Sequence, residues 1–113
     1  MHIIAPGVVL IEAPGHTPGS QMIYAVTASG REYLFVGDIA WSDRNIEEVV
    51  GRPRLVSQFL VGNEDRDAVF AQLAALNALQ AAEPELTIVP GHDAVAIERL
   101  ISEGRMVAGF VVP

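Results

Sequence analysis

Pro14-Gly15-His16-Thr17-Pro18-Gly19 encloses one of the chain's three histidines between two prolines and two glycines. Proline fixes φ and glycine admits conformations that other residues avoid. An imidazole in such a frame is aimed. The run before it, Val8-Val9-Leu10-Ile11, reads as a buried strand, so the local pattern is strand, tight turn, histidine. The phrase returns near the other end, where Leu86-Thr87-Ile88-Val89 leads into Pro90-Gly91-His92. An aspartate has a similar setting in Tyr33-Leu34-Phe35-Val36-Gly37-Asp38.

The segments between these sites read as a mixed α/β layer. Strands are expected over 8–13, 21–27, 32–36 and 86–89, with Ala28-Ser29-Gly30-Arg31 turning the second into the third. That hairpin has a consequence. The start of its first arm and the end of its second lie at the same sheet edge, so His16 and Asp38 are expected to be neighbours. Ser42 or Asp43 is expected to cap a short helix ending at Gly51-Arg52-Pro53. Leu55, Val56, Phe59 and Leu60 fall at helical spacing up to Gly62. Asn63 is expected to cap the longest helix, with Glu64, Asp65 and Asp67 loading its first turn with negative charge and Glu64-Asp65 as surface charge. Val69, Leu73, Leu76 and Gln80 define one stripe of that helix, with Phe70 and Leu79 beside it. Asp93 is placed to cap a helix from Ala94 to about Glu103, with Ala94, Ile97, Leu100 and Ile101 inward. Met1–Pro6 reads as a frayed lead-in that includes His2, and the tail over 106–112 as a last edge strand.

Length and composition set the bounds. The 113 residues suit one unit, 1–113. Net charge is 7 − 14 = −7, which disfavours nucleic acid. Without cysteine there is no thiolate ligand, disulfide or cysteine nucleophile. No run reaches the roughly 20 apolar residues that span a bilayer, and the N-terminus lacks a signal-peptide pattern. A soluble, cytoplasmic protein with no membrane partner is the expectation. Half the residues are hydrophobic and mean hydropathy is +0.34. Either the core is ordinary and charges are few, or one face is meant to be covered.

Two imidazoles and a carboxylate at glycine-flanked strand ends suit a metal. Histidine nitrogen and aspartate oxygen bind zinc at about 2.0–2.2 Å, and iron or manganese also fits. Bound water then becomes acidic enough to supply hydroxide near neutrality. A histidine in a Pro-Gly turn also serves structurally, hydrogen-bonded to backbone, and Asp38 also suits a turn. Trp41, close after Asp38, suits a pocket wall or a packing aromatic. Neither a G-x-S-x-G nucleophile elbow nor a phosphate-binding glycine loop occurs.

Pro14-Gly15-His16-Thr17-Pro18-Gly19-Ser20 resembles the G-H-T-x-G-S motif of the metallo-β-lactamase-fold hydrolases. Gly37-Asp38 resembles their aspartate motif, and Pro90-Gly91-His92 their last histidine motif. The resemblance implies half of an αββα sandwich, with a mixed sheet of about four strands covered by helices. It implies two metal ions, usually zinc, in a complete protein. His16 would bind one, His92 the other, and Asp38 would bridge them, with Thr17 and Trp41 beside the pocket. A metal-bound hydroxide would attack an ester, lactone, thioester or amide of a small-molecule substrate. The family's earlier H-x-H-x-D-H signature is absent from this sequence. The chain therefore resembles the C-terminal part of the family, lacking most ligands, and is expected to bind metal weakly and to be weakly active or inactive alone. The apolar composition then has a cause: a sheet face that a missing N-terminal half, or a second copy of the chain, would cover. Two alternatives are a non-catalytic module that self-associates, and a small domain that uses Pro-Gly-His turns structurally.

Overall fold

A computed structural model describes residues 1–62 and 64–109. Its centre is a mixed five-stranded sheet in the order β1 (His2–Ala5), β2 (Val8–Glu12), β3 (Gln21–Val26), β4 (Glu32–Phe35), β5 (Thr87–Val89). The first four strands run antiparallel in sequence, and β5 joins β4 in parallel. The hairpin turns at Thr27–Gly30, where the Thr27 amide donates to the Arg31 carbonyl and Gly30 takes φ +83°.

β1 corrects the expectation of a frayed lead-in. All four of its residues are exposed, so they carry no burial alternation to read. The strand is held by backbone pairing across the Pro6-Gly7 turn, where Gly7 adopts φ +77°. His2 also donates to Glu12 at 3.2 Å.

The period-2 alternation of the strands splits the core in two. Met22, Leu34 and Ile88 point to one face and pack with Val69, Leu73 and Leu76 of α3 (Arg66–Ala82). Tyr33 and Val89 point to the other and pack with Leu100 of α4 (Ala94–Ser102). The inward residues of α4 are Ala96, Ile97 and Leu100. Ala94 is exposed, which corrects the expected stripe by placing the helix start outside the packed turn. Met106 folds back on the α4 cluster, and residues 106–109 form no strand. The rest of the expected edge strand, 110–112, lies outside the described residues.

Two short helices link β4 to α3. Ser42 caps α1 (Asp43–Glu47) in a capping box with Asn45. α2 (Arg54–Val56) runs into a π turn over Ser57–Val61. Leu55, Phe59 and Leu60 are 70%, 75% and 80% exposed. Their helical spacing therefore marks a face that nothing among the described residues buries. Asp65, whose carboxylate accepts from the Ala68 amide at 3.0 Å, caps α3. The expected cap, Asn63, lies outside the described residues.

Asp93 caps α4 as expected, accepting from the Ala96 amide at 3.0 Å. Its other oxygen accepts from the Asp43 amide at 3.0 Å, tying α4 to α1. These N–H donors, Ala96 first, hold its carboxyl below the usual aspartate range. A depressed folded-state pKa stabilises above the unfolded value and ceases to do so as pH falls through the folded one. Asp93→Ala is thus expected to cost about 1–2 kcal/mol at pH 7. The deficit should shrink as pH drops below about 4, in urea titrations of both proteins over that range.

Candidate metal centre

The parallel β4–β5 pair brings two of the three sites together. Phe35 is in register with Val89. Asp38 and His92 each follow three residues later, so both leave the sheet at the same edge. The two exit loops are joined by backbone bonds, Gly91 amide to Ala40 carbonyl and His92 amide to Trp41 carbonyl, both 2.8 Å. The approach is close. A Cβ on Gly91 would lie 2.6 Å from the Gly37 carbonyl oxygen and 3.3 Å from Asp38 Oδ1. Only glycine fits there without movement of the backbone.

The antiparallel β3–β4 pair brings the third. Ile23 is opposite Phe35, so the loop before β3 meets the loop after β4. That first loop is anchored on α3: Gln72 donates to the Pro14 carbonyl at 2.8 Å, and the Asp65 amide to the Gly15 carbonyl at 2.9 Å.

The result is a carboxylate flanked by two imidazoles. His92 Nε2 donates to Asp38 Oδ1 at 2.7 Å, and His16 Nε2 stands 3.6 Å from Asp38 Oδ2. Asp38 and His92 are open to solvent, whereas His16 is buried. The hairpin geometry thus makes His16 and Asp38 neighbours across 22 positions of sequence.

His16 is held from behind. Its Nδ1 lies 3.1 Å from Glu64 Oε1, which also accepts from Arg52 Nη1 at 2.5 Å. The Glu64 and Arg52 side chains are only 2% and 3% exposed. This corrects the expectation that Glu64 is surface charge. It precedes the cap Asp65 and turns inward, so it is a buried ion-pair partner rather than a helix-start charge. Burial opposes its ionisation, but hydrogen bonds from Ser57 and His16, with the Arg52 charge, outweigh it and hold the carboxyl below its ordinary value. Burial pulls the Arg52 guanidinium below the usual arginine value, against the charges of Glu64 and Asp38. Arg52 also lies 4.2 Å over the Trp41 ring, and Trp41 packs edge-on to His92 with centroids 5.8 Å apart. Glu64 further borders a cavity of about 230 Å³ with Arg54, Ser57, Gln58 and Arg66.

Of the two expected pocket residues, Trp41 is half-buried between Arg52 and His92. Thr17 is exposed, with its hydroxyl 2.9 Å from that of Ser20. The sequence held one sign of the Glu64 role: a second acidic residue immediately before Asp65, where the cap needs only one.

The donor chemistry fits a divalent cation. Two donors on one tetrahedral ion at about 2.0–2.2 Å lie about 3.3–3.6 Å apart, which matches the His16–Asp38 spacing. The His92–Asp38 contact is a hydrogen bond in which a cation would replace the proton. Among the described residues, no group of three or more His, Asp or Glu side chains is arranged to hold a metal ion. Each histidine instead meets its own oxygen of Asp38.

No family model and no curated protein sequence matches the chain. Solved structures do. An N-acyl homoserine lactone hydrolase, with the product N-hexanoyl-L-homoserine at its catalytic metal centre, superposes with a TM-score of 0.67 at 23% identity over 87% of this chain. The same values hold for a B. thuringiensis AiiA variant with N-decanoyl-L-homoserine at its active site. A quorum-quenching N-acyl homoserine lactone lactonase gives 0.64 at 25% identity over 82% of the chain. Only 35% of each of these proteins is covered. Over that third of their length, the chain has the metallo-β-lactamase fold of these lactone hydrolases.

Proposed function

We propose that residues 1–113 form the C-terminal part of a metal-dependent hydrolase whose ligands include His16, Asp38 and His92. The observation that carries this is the presentation of two imidazole Nε2 atoms to opposite oxygens of one carboxylate. His16 would serve one metal position and His92 a second, with Asp38 between them. A divalent ion bound there, zinc by preference and iron or manganese by the same donor set, supplies Lewis-acid polarisation and a nucleophilic water near neutral pH. The chain's own residues do the rest. Glu64 keeps His16 Nε2 free of its proton, Asp38 supplies negative charge, and Trp41 excludes water from one side of His92. The lactone hydrolases of like fold support a lactone as substrate, among the esters, thioesters and amides that such chemistry cleaves.

Three ligands split between two positions bind weakly. The remaining ligands would come from an N-terminal half. That half would also cover the apolar residues left open on β1 and β3, of which Ile3 is 80% and Ile23 41% exposed. A second reading rests on the same exposed strands, namely pairing with another copy of the chain. Native mass spectrometry separates them, since a clean monomer removes the second.

Calorimetric titration of Zn²⁺ and Mn²⁺ into the chain tests the site. Binding in the micromolar range or weaker is expected. His16→Ala, Asp38→Ala and His92→Ala should each lower affinity about tenfold or more, about 1.4 kcal/mol, without loss of fold. Unchanged uptake in all three variants would sink the proposal.

A further inference from the structure

We propose that the buried Arg52–Glu64 pair is the positioning device of the His16–Asp38–His92 cluster, with Glu64 fixing the tautomer and direction of His16 and Arg52 backing Trp41 against His92. The metal reading above gives the presented nitrogens their purpose. The hydrogen bonds stand without it.

An uncharged imidazole carries one proton, on either ring nitrogen, and the acceptor facing each nitrogen selects between them. Glu64 Oε1 faces Nδ1 at 3.1 Å, while Asp38 Oδ2 faces Nε2 only at 3.6 Å. The 3.1 Å contact is within hydrogen-bond range and the 3.6 Å contact is beyond it. The proton therefore sits on Nδ1, and Nε2 presents a lone pair toward Asp38. A ligating histidine needs that arrangement, with its other nitrogen donating to a carboxylate that holds the ring plane.

Glu64 can do this only if it stays put and ionised. Arg52 Nη1 holds the same oxygen, and both side chains are almost wholly buried. Arg52 is in turn fixed by its stack on Trp41, whose ring meets His92. One ion pair thus reaches both imidazoles, one by a hydrogen bond and the other through an indole. Glu64 and Arg52 touch no reacting atom in this scheme; they act through His16 and Trp41.

The competing view is that the pair only fills space beneath the loops. The two views differ on where the His16 proton sits. Nitrogen-15 spectra of the imidazole rings in the metal-free chain, at alkaline pH, read this directly. The wild type should show His16 protonated at Nδ1. In Glu64→Leu the acceptor that still faces the ring, among the described residues, is Asp38, so the proton should move to Nε2. Glu64→Gln retains an acceptor oxygen and should retain the Nδ1–H form. The double replacement Arg52→Met/Glu64→Leu guards against misfolding, because apolar residues of like size often replace a buried pair without loss of stability. It should flip the tautomer in a folded protein and weaken Zn²⁺ binding about tenfold or more, since Nε2 must then shed a proton. An Nε2–H form in the wild type, or an Nδ1–H form kept in the folded double variant, overturns the proposal. Absence of Zn²⁺ binding by the wild type would instead count against the metal reading, leaving the tautomer result to decide this one.

Discussion

Gly91→Ala should cost about 3 kcal/mol or more. The added Cβ would stand 2.6 Å from the Gly37 carbonyl oxygen, a backbone atom that cannot swing aside as a flexible side chain would. Relief requires the two exit loops to part. That strains the Gly91–Ala40 and His92–Trp41 backbone bonds and lengthens the His92–Asp38 contact. For a domain of this size the melting temperature should fall by about 10 °C or more, and metal affinity should fall with it. Gly19 is the contrast. It belongs to the matching Pro-Gly-rich loop, yet a Cβ there meets nothing within 4 Å and its φ is not positive. Gly19→Ala should lie within about 1 kcal/mol of wild type, on the stabilising side if the unfolded chain loses freedom. Parallel thermal melts of the two variants check the pair. Equal losses would mean that the close approach at Gly91 is not what the glycine serves.

These glycines show where sequence stops being informative. Pro14-Gly15-His16 and Pro90-Gly91-His92 are near-identical phrases, and both were legible as rigid frames for a histidine. Their packing differs. At Gly15 a Cβ would meet side-chain atoms of α3 at 3.2–3.3 Å, whereas at Gly91 it would strike backbone. The hairpin turn, the run of apolar strand residues and the stripe of α3 were legible because each is a local pattern with its own period. β1 was not, since an exposed strand held chiefly by backbone pairing leaves no such pattern. The exposed Leu55, Phe59 and Leu60 carry a helical period that the described residues do not bury. The site divides the same way. His16, Asp38 and His92 announce themselves by local context, and the hairpin argument joins the first two. Glu64 and Arg52 could not be paired in advance. Glu64 sits among acids that read as helix-start charge, and Arg52 sits inside Gly51-Arg52-Pro53, which reads as a helix stop. Their contact depends on how the segment between them folds back.

Glu64→Ala should be the most damaging change to that concealed layer. It leaves the Arg52 guanidinium buried without its anion, and breaking a buried pair from one side costs about 3–5 kcal/mol. Among the described residues, Arg52 Nε and Nη2 already lack hydrogen-bond partners, so the remaining contact with Trp41 offsets little. Arg52→Met should cost less, because Glu64 keeps its bond to His16. The double variant Arg52→Met/Glu64→Leu should recover most of the loss and lie within about 1 kcal/mol of wild type, since removing both charges removes their desolvation as well. Urea titrations of the four proteins at pH 7 give the order directly, and a double variant as unstable as Glu64→Ala would show that the ion pair itself holds the fold. Acid gives an independent check. The Glu64 pKa is depressed in the folded state, so its contribution is present above the ordinary glutamate value and lost as pH falls through the lowered one. Wild type should therefore lose stability relative to the double variant as pH drops below about 4. That loss would be the stability cost of keeping a carboxylate beneath His16, a place where an apolar side chain would hold the fold but leave the imidazole unaimed.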